Sequence, residues 1–266
     1  MLSRFAHLRA LSRSRVLTTR ANGSSRILSS NERSASTSPI SHELPVDSLP
    51  RFPTLSTPGG LRALDYVGTL SFAHTGALLA ATSGMDALGT CVVGTITAVG
   101  GGTIRDAVIL NARPFWTEEP EYLYLCLLAS GLTFAMWPRE KEDNSALHFV
   151  TDSAGVAAFA VIGAQNGVRA GVPAIVSVVC GMATATFGGA VRDVLCNRKV
   201  RILHSHAEVY ATTAAMGAIS YLGMRRMGAG VRARVGTGLV VAFAGRCFAW
   251  RYGTRLPVWQ SRSETA

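Results

Sequence analysis

The chain has 266 residues, of which 48% are hydrophobic and 16% are charged, and its mean hydropathy is +0.26. The charges lie mainly outside the long apolar stretches, and the polar amphipathic faces that a soluble domain needs between such stretches are missing. The net charge of +10 is spread between those stretches and not gathered on one soluble face, so it favours anionic lipid headgroups as partners and excludes a nucleic-acid module.

The N-terminal segment has the composition of an organellar leader. Residues 1–31 hold six arginines, many Ser and Leu, and no acidic residue. They lack the continuous apolar core of a secretory signal. We therefore predict a transit peptide at residues 1–28, with a disordered basic tail as the alternative, and a flexible Ser/Pro/Thr-rich linker at residues 29–60. Such a leader predicts a location in the mitochondrial inner membrane, with another organelle as the alternative.

Seven apolar stretches follow the leader. Most of them reach the ~20 residues that a helix needs to cross a hydrocarbon layer of ~30 Å. Several contain Gly, Ser and Thr, which allow helices to approach closely in lipid. We therefore predict seven transmembrane helices, at about residues 63–82, 85–108, 121–138, 149–167, 172–195, 205–223 and 235–252.

An internal repeat relates the two halves of this apolar region. Residues 65–106 align without a gap with residues 152–193, each displaced by 87, and 16 of the 42 aligned positions are identical. Paired, glycine-interrupted apolar segments of this kind are typical of a transporter with a site at the repeat interface. The identities include three charged pairs, namely Asp65/Asp152, Arg105/Arg192 and Asp106/Asp193.

The repeat also predicts a topology. The two copies begin three spans apart, and an odd number of crossings forces the second copy to face the opposite way. The expected fold is therefore an all-α membrane protein with seven transmembrane helices, arranged as two inverted three-helix repeats plus a C-terminal helix. The predicted segments are repeat 1 at residues 61–145, repeat 2 at 146–230, the seventh helix at 231–252 and a tail at 253–266.

Glycine clusters lie late in the second and fifth spans, at Gly100, Gly101 and Gly102 and again at Gly188 and Gly189. Consecutive glycines destabilise a helix, and lipid tolerates a broken helix only where the freed backbone faces protein or a water-filled cavity. We therefore predict that the clusters break their helices and bind substrate. The freed N–H groups would bind a carboxylate and the freed carbonyls a cation. Close helix packing through a glycine notch is the alternative.

An Arg-Asp pair follows each glycine cluster by about one helical turn. These pairs are Arg105-Asp106 and Arg192-Asp193. They either gate access to the site, or pair across the two repeats to hold one conformation, or form static ion pairs where a helix ends. Because neighbouring residues on a helix point in different directions, the sequence does not require each Arg to bond its own Asp.

Three further charged residues fall at or inside apolar spans. Asp65 and Asp152 each open a span, where an Asp caps a helix or, if it lies deeper, binds an ammonium group or a coupling proton. Arg246 lies inside the seventh span, and a guanidinium there needs a partner in the bundle interior. Asp65 or Asp152 is the expected partner of Arg246, which serves either as a structural bridge or as a contact for a substrate carboxylate.

The sequence gives no sign of catalysis. It contains no Ser-His-Asp arrangement, Walker loop or dinucleotide fingerprint, so we expect no cofactor and no catalytic residue. His204 and His206 lie in a loop without a Cys or acidic companion, and the five cysteines are scattered, so we expect no metal site.

Four motifs resemble one known family. They are TAVGGGTIRD at 97–106, DSAGVAAFAVIGAQ at 152–165, GGAVRDVL at 188–195 and RLPVW at 255–259. These motifs are similar to those of the bacterial glycine transporter-domain family, which is related to the trimeric intracellular cation channels. Phe187 stands where the first copy has Gly100, so the two glycine clusters are not equivalent.

The resemblance implies a function as well as a fold. It implies a homotrimer with a pathway inside each subunit and glycine as the transported solute. A monovalent cation channel of the trimeric intracellular type is the alternative, and a membrane scaffold that transports nothing is the third. The arginine-rich leader lies outside the bacterial pattern and points to a eukaryotic organelle.

Overall fold

The fold is described from a computed structural model over residues 59–136, 146–203 and 209–256. The predicted transit peptide, the predicted linker up to residue 58 and the part of the tail from residue 257 onward lie outside the described residues. His204 and His206 also lie outside them.

The described residues fold into seven α-helices and contain no strand. These helices confirm the seven predicted helical segments, with ends that differ by a few residues. A π-helical turn, Arg105–Ile109, continues the second helix, and a short 3-10 helix, Phe115–Thr117, precedes the third. The seven helices are α1 Gly60–Thr82, α2 Ala87–Ile104, α3 Glu121–Met136, α4 Ala146–Arg169, α5 Ala174–Leu195, α6 Ala211–Arg226 and α7 Val231–Tyr252.

Judged by length and composition, two of the described helical segments could cross a membrane. They are Ala87–Ile109 and Ala174–Leu195. They are the repeat-related pair α2 and α5. The third helix is apolar but shorter. The number of membrane crossings therefore stays a prediction.

The four helices α1, α2, α4 and α5 form the centre of the bundle. Helix α3 packs on α1 and α2, while α6 and α7 pack on each other and on α4. Three helices from each repeat and one additional helix are therefore present, as the sequence predicts. The buried core consists largely of alanines and other small residues, which allow the helix axes to approach closely.

Helices α1 and α4 cross where Gly68 meets Gly155. A Cβ atom added to Gly68 would lie 2.9 Å from the Cα atom of Gly155, and one added to Gly155 would lie 3.0 Å from the Cα atom of Gly68. One turn further on, the rings of Phe72 and Phe159 meet edge to face with centroids 5.1 Å apart. Each residue thus contacts its own counterpart in the other repeat, which is the pattern that a two-fold relation produces.

Helices α2 and α5 cross in the same reciprocal way. A Cβ atom added to Gly101 would lie closer than 3.0 Å to the carbonyl oxygen of Thr184. One added to Gly188 would lie equally close to the carbonyl oxygen of Thr97. Since Thr184 and Gly188 are the counterparts of Thr97 and Gly101, this crossing obeys the same two-fold relation.

The prediction that the glycine clusters break their helices is wrong. Helix α2 runs unbroken through Gly100, Gly101 and Gly102, and α5 runs unbroken through Gly188 and Gly189. Gly101 and Gly188 are needed for their missing side chains, because backbone carbonyls of the opposite helix occupy that space. Contact between the two backbones offsets the low helix propensity of glycine. The close-packing alternative is therefore correct.

Candidate functional site

Two cavities enter the bundle, and the repeat relates their linings. Both are open to solvent, with volumes of about 440 Å³ for the first and about 350 Å³ for the second, open solvent included. We call them the first and the second vestibule and define them by five pairs of lining residues, each displaced by 87. The first vestibule is lined by Asp65, Gly102, Arg105, Phe159 and Thr184, and the second by Asp152, Gly189, Arg192, Phe72 and Thr97.

The predicted glycines fall into two groups by their position relative to the vestibules. Gly102 and Gly189 line the vestibules, whereas Gly101 and Gly188 form the α2–α5 crossing beside them. An added Cβ at Gly100 would make an ordinary contact, 3.5 Å from the Cα atom of Gly188. Gly101 and Gly188 therefore act through close approach of the two helices, whereas Gly102 and Gly189 form part of the vestibule walls.

Arg105 of the first repeat lines its vestibule and forms an ion pair with Asp106. Arg105 Nε donates to Asp106 Oδ1 at 2.7 Å, and Arg105 Nη1 donates to Thr184 Oγ1 of the second repeat at 3.3 Å. The other carboxylate oxygen, Asp106 Oδ2, accepts from the backbone N–H of Phe115 at 3.0 Å. Both charged side chains are buried, at 3% and 6% exposure, so the pair ties the end of α2 to the segment that follows it.

The second repeat has the same arrangement. Arg192 donates to Asp193 Oδ1 from Nη2 at 2.6 Å and from Nε at 2.9 Å. Asp193 Oδ2 accepts from the backbone N–H of Arg201 at 3.1 Å. Each arginine thus reaches its own neighbouring aspartate. In this structure the charges therefore pair within each repeat and not across the two, and a gating role for the pairs stays a prediction.

The two repeats differ by one residue directly after these pairs. Asn111 and Asn197, both with positive φ angles of 49° and 53°, end the two helical segments. Asn111 follows Asp106 by five residues, whereas Asn197 follows Asp193 by four. The first repeat therefore contains one additional residue at this point.

The π-helical turn accommodates the additional residue. In the first repeat the N–H of Leu110 donates to the carbonyl of Arg105, five residues earlier, at 2.9 Å. In the second repeat the N–H of Cys196 donates to the carbonyl of Arg192, four residues earlier, at 2.9 Å. A π-helical turn holds one more residue than an α-helical turn, so the inserted residue widens α2 without moving the Arg-Asp pair.

Asp65 and Asp152 lie inside their helices, so the helix-cap alternative is wrong for both. Helix α1 begins at Gly60 and α4 at Ala146, well before either aspartate. Asp65 is 6% exposed and accepts a hydrogen bond from the hydroxyl of Tyr122.

Arg246 meets Asp152, one of its two expected partners. Arg246 Nη2 lies 3.4 Å from Asp152 Oδ2, and the arginine is 1% exposed. Its guanidinium carbon also lies 4.7 Å from the ring centroid of Tyr210 and 5.3 Å from that of Phe149. Since Asp152 and Tyr210 line the second vestibule, Arg246 lies directly behind its wall.

Sequence reasoning did not select several residues that build the vestibules. Phe72 and Phe159, and likewise Thr97 and Thr184, are identical pairs in the repeat, so the repeat itself carried the signal for them. Tyr122, Tyr210 and Arg201 lie outside the aligned segments, and only the fold brings them to the vestibules.

Comparison with known proteins supports the family drawn from the motifs. The family model described as "Glycine transporter" matches twice, over residues 62–138 and 149–226, which together exceed half of the chain. A UPF0126 membrane protein of Deinococcus radiodurans is 36% identical over 199 residues, covering 75% of this chain and 92% of that protein. The UPF0126 inner membrane protein YadS of Escherichia coli is 37% identical over 156 residues, covering 59% and 74% of the two chains.

Solved structures share the fold. A TRIC trimeric intracellular cation channel orthologue from Rhodobacter sphaeroides has a TM-score of 0.66 and 35% sequence identity, over 73% of this chain and 98% of that chain. A structure described for conductance through TRIC cation channels has a TM-score of 0.71 and 29% identity, over 76% and 98%. The family resemblance is thus confirmed: the chain belongs to the glycine transporter family of membrane proteins.

Proposed function

We propose that the chain is a seven-span membrane protein, assembled as a homotrimer, that lets monovalent cations cross the membrane through a pathway inside each subunit. The two vestibules are the two halves of this pathway. Each offers a carboxylate, Asp65 or Asp152, and threonine hydroxyls, which are oxygen ligands that replace part of the hydration shell of a cation. The similarity to structures described as TRIC cation channels supports cations as the conducted species.

The contact between Phe72 and Phe159 carries this proposal. Phe159 lines the first vestibule, Phe72 lines the second, and the two rings touch at 5.1 Å between centroids. Two apolar rings therefore stand between the two polar cavities. An apolar constriction of this kind closes an ion pathway by dewetting, so the ring pair is the proposed closed gate.

Transport of a small zwitterion, with glycine as the first candidate, is the second proposed function. Each vestibule holds a carboxylate and a guanidinium, Asp65 with Arg105 and Asp152 with Arg192, and these charges complement an ammonium and a carboxylate group. The description of the family also names glycine. A transporter would bind its substrate in one vestibule at a time and open the phenylalanine pair alternately.

A flux measurement separates the two functions. The full chain is reconstituted into vesicles loaded with potassium chloride, and potassium efflux is compared with uptake of labelled glycine. We expect potassium efflux that does not saturate at millimolar concentrations. Removing the two rings, in Phe72→Ala/Phe159→Ala, should raise the efflux severalfold because the constriction then stays wet.

The matched control is Phe248→Ala, which removes a phenylalanine ring that is 58% exposed on α7. This control should leave the efflux unchanged. Saturable glycine uptake that unlabelled glycine competes away, without potassium efflux, would replace the channel by the transporter. No flux of either solute would contradict both functions.

We also propose that residues 1–28 direct the chain to the mitochondrial inner membrane. The support is their composition, six arginines without an acidic residue. The relatives named above are bacterial and therefore do not bear on this leader. Isolated mitochondria should import the full chain but not a chain that lacks residues 1–28. Equal import of the two chains would contradict the assignment.

A further inference from the structure

The segments at the mouths of the two vestibules carry opposite charges. After α2, residues 110–121 contain one basic residue and three acidic residues, a net charge of −2. The described residues that follow α5, 196–203, contain three basic residues and no acidic one, a net charge of +3. The charged residues of these segments are Arg113, Glu118, Glu119 and Glu121 after α2, and Arg198, Lys199 and Arg201 after α5. Arg62 of α1 pairs with Glu119 and Glu121 and offsets one of the negative charges after α2.

The linings of the two vestibules also differ in charge at one equivalent position. Phe115 donates its backbone N–H to Asp106, and Arg201 donates its backbone N–H to Asp193, so the two residues occupy the same place in the two repeats. Both line their vestibules. The first vestibule therefore has an apolar ring where the second has a guanidinium, which lies 5.5 Å from the ring centroid of Tyr210.

The carboxylates of the two vestibules also have different surroundings. Asp65 accepts a hydrogen bond from the uncharged hydroxyl of Tyr122. Asp152 instead pairs with the charged guanidinium of Arg246 on α7. The other carboxylate of the second vestibule, Asp193, pairs with Arg192. A cation there would thus meet two carboxylates whose charges are offset by arginines, with Arg201 close by.

We propose that Arg201, together with Arg246 beside Asp152, makes the second vestibule repel cations, so that cations cross the chain more readily when they enter through the first. This inference rests on the proposed cation pathway. A pore with oppositely charged mouths concentrates cations at one end and depletes them at the other, so its current depends on the sign of the voltage. One unit charge about 10 Å away in water changes the local cation concentration about twofold.

Single-protein currents of the full chain in planar bilayers test the inference. The measured quantity is the ratio of currents at equal and opposite voltages in symmetric potassium chloride. We expect a ratio of about two or more at about 0.01 M salt, where the screening length is about 30 Å. The ratio should approach one at about 1 M salt, where that length is about 3 Å.

Variants at Arg201 assign the effect to its charge. Arg201 is exposed, so its replacement is compatible with folding. At low salt, Arg201→Gln should lower the ratio of the two currents about twofold, toward one. Arg201→Lys keeps the positive charge and should leave this ratio unchanged. The matched control is Arg226→Gln, which removes the same charge from an exposed position at the end of α6 and should leave the ratio unchanged.

A chemical rescue identifies the side of entry. In Arg201→Cys, a thiol reagent that carries a positive charge should restore the unequal currents when it is added on one side of the bilayer only. That side should be the one from which cations enter less readily. The untreated variant and the treated natural chain, with its five cysteines, are the controls.

The possible failures are distinguishable. Equal currents at both voltages in low salt, or an unchanged ratio in Arg201→Gln, would overturn the inference while leaving the cation pathway in place. The absence of current in every variant would overturn the proposed pathway, and the inference with it.

Discussion

Replacing Gly101 with alanine is expected to destabilise the folded bundle by about 3 kcal/mol, because the added methyl group has no space. It would lie closer than 3.0 Å to the backbone carbonyl of Thr184. A backbone atom cannot rotate away as a side chain can, so α2 and α5 must move apart. Gly188→Ala should have a similar effect through the carbonyl of Thr97. The measurement is the unfolding midpoint of the purified protein in detergent.

Gly100→Ala is the matched control one residue away. The added methyl group would lie 3.5 Å from the Cα atom of Gly188, an ordinary contact, and alanine favours the helix by about 1 kcal/mol over glycine. This variant should therefore be as stable as the natural chain or more so. Equal losses in Gly100→Ala and Gly101→Ala, or no loss in Gly101→Ala, would contradict the close crossing.

The sequence was sufficient to predict the helices. Apolar stretches of about 20 residues predict helices, because a helix satisfies its backbone hydrogen bonds internally, and the predicted bounds fall close to those of α1 to α7. The displacement of 87 residues further predicted two equivalent three-helix units. The reciprocal contacts between Gly68 and Gly155, and between the glycines and threonines of α2 and α5, agree with that prediction.

The role of the glycines could not be predicted in the same way. A missing side chain permits unusual backbone angles and also permits close approach, and a sequence does not distinguish these uses. The difference depends on what lies opposite Gly101, and the carbonyl of Thr184 is 83 residues away along the chain. Gly101 faces the carbonyl of Thr184, and Gly188 faces the carbonyl of Thr97. The glycines that we expected to break the helices therefore form a reciprocal contact between α2 and α5.

Comparing the sequences of the two repeats could not predict the difference in charge between the vestibules either. Phe115 and Arg201 become equivalent only when the additional residue of the π-helical turn is taken into account. Arg246 has no counterpart because it belongs to α7, outside both repeats. The repeat therefore predicted what the two vestibules share, whereas residues outside it determine how they differ.

Arg246→Met is expected to destabilise the protein by about 3–5 kcal/mol, the second large effect that the structure predicts. Arg246 is 1% exposed and pairs with Asp152, whose side chain is 14% exposed. Removing the guanidinium leaves a nearly buried carboxylate without the positive charge beside it, and breaking a buried ion pair at one partner has costs of this size. Unfolding midpoints of Arg246→Met and of Arg251→Met, an exposed arginine on the same helix, measure the effect against a control.

The double variant Arg246→Met/Asp152→Asn distinguishes a structural pair from a functional one. With both charges removed, no buried charge is left over, so much of the lost stability should return. A double variant as unstable as Arg246→Met would contradict the pairing. A stable double variant with altered ion currents would mean that the pair acts on the permeating ion, because the fold itself no longer needs it. Unchanged currents would limit its role to joining α7 to α4.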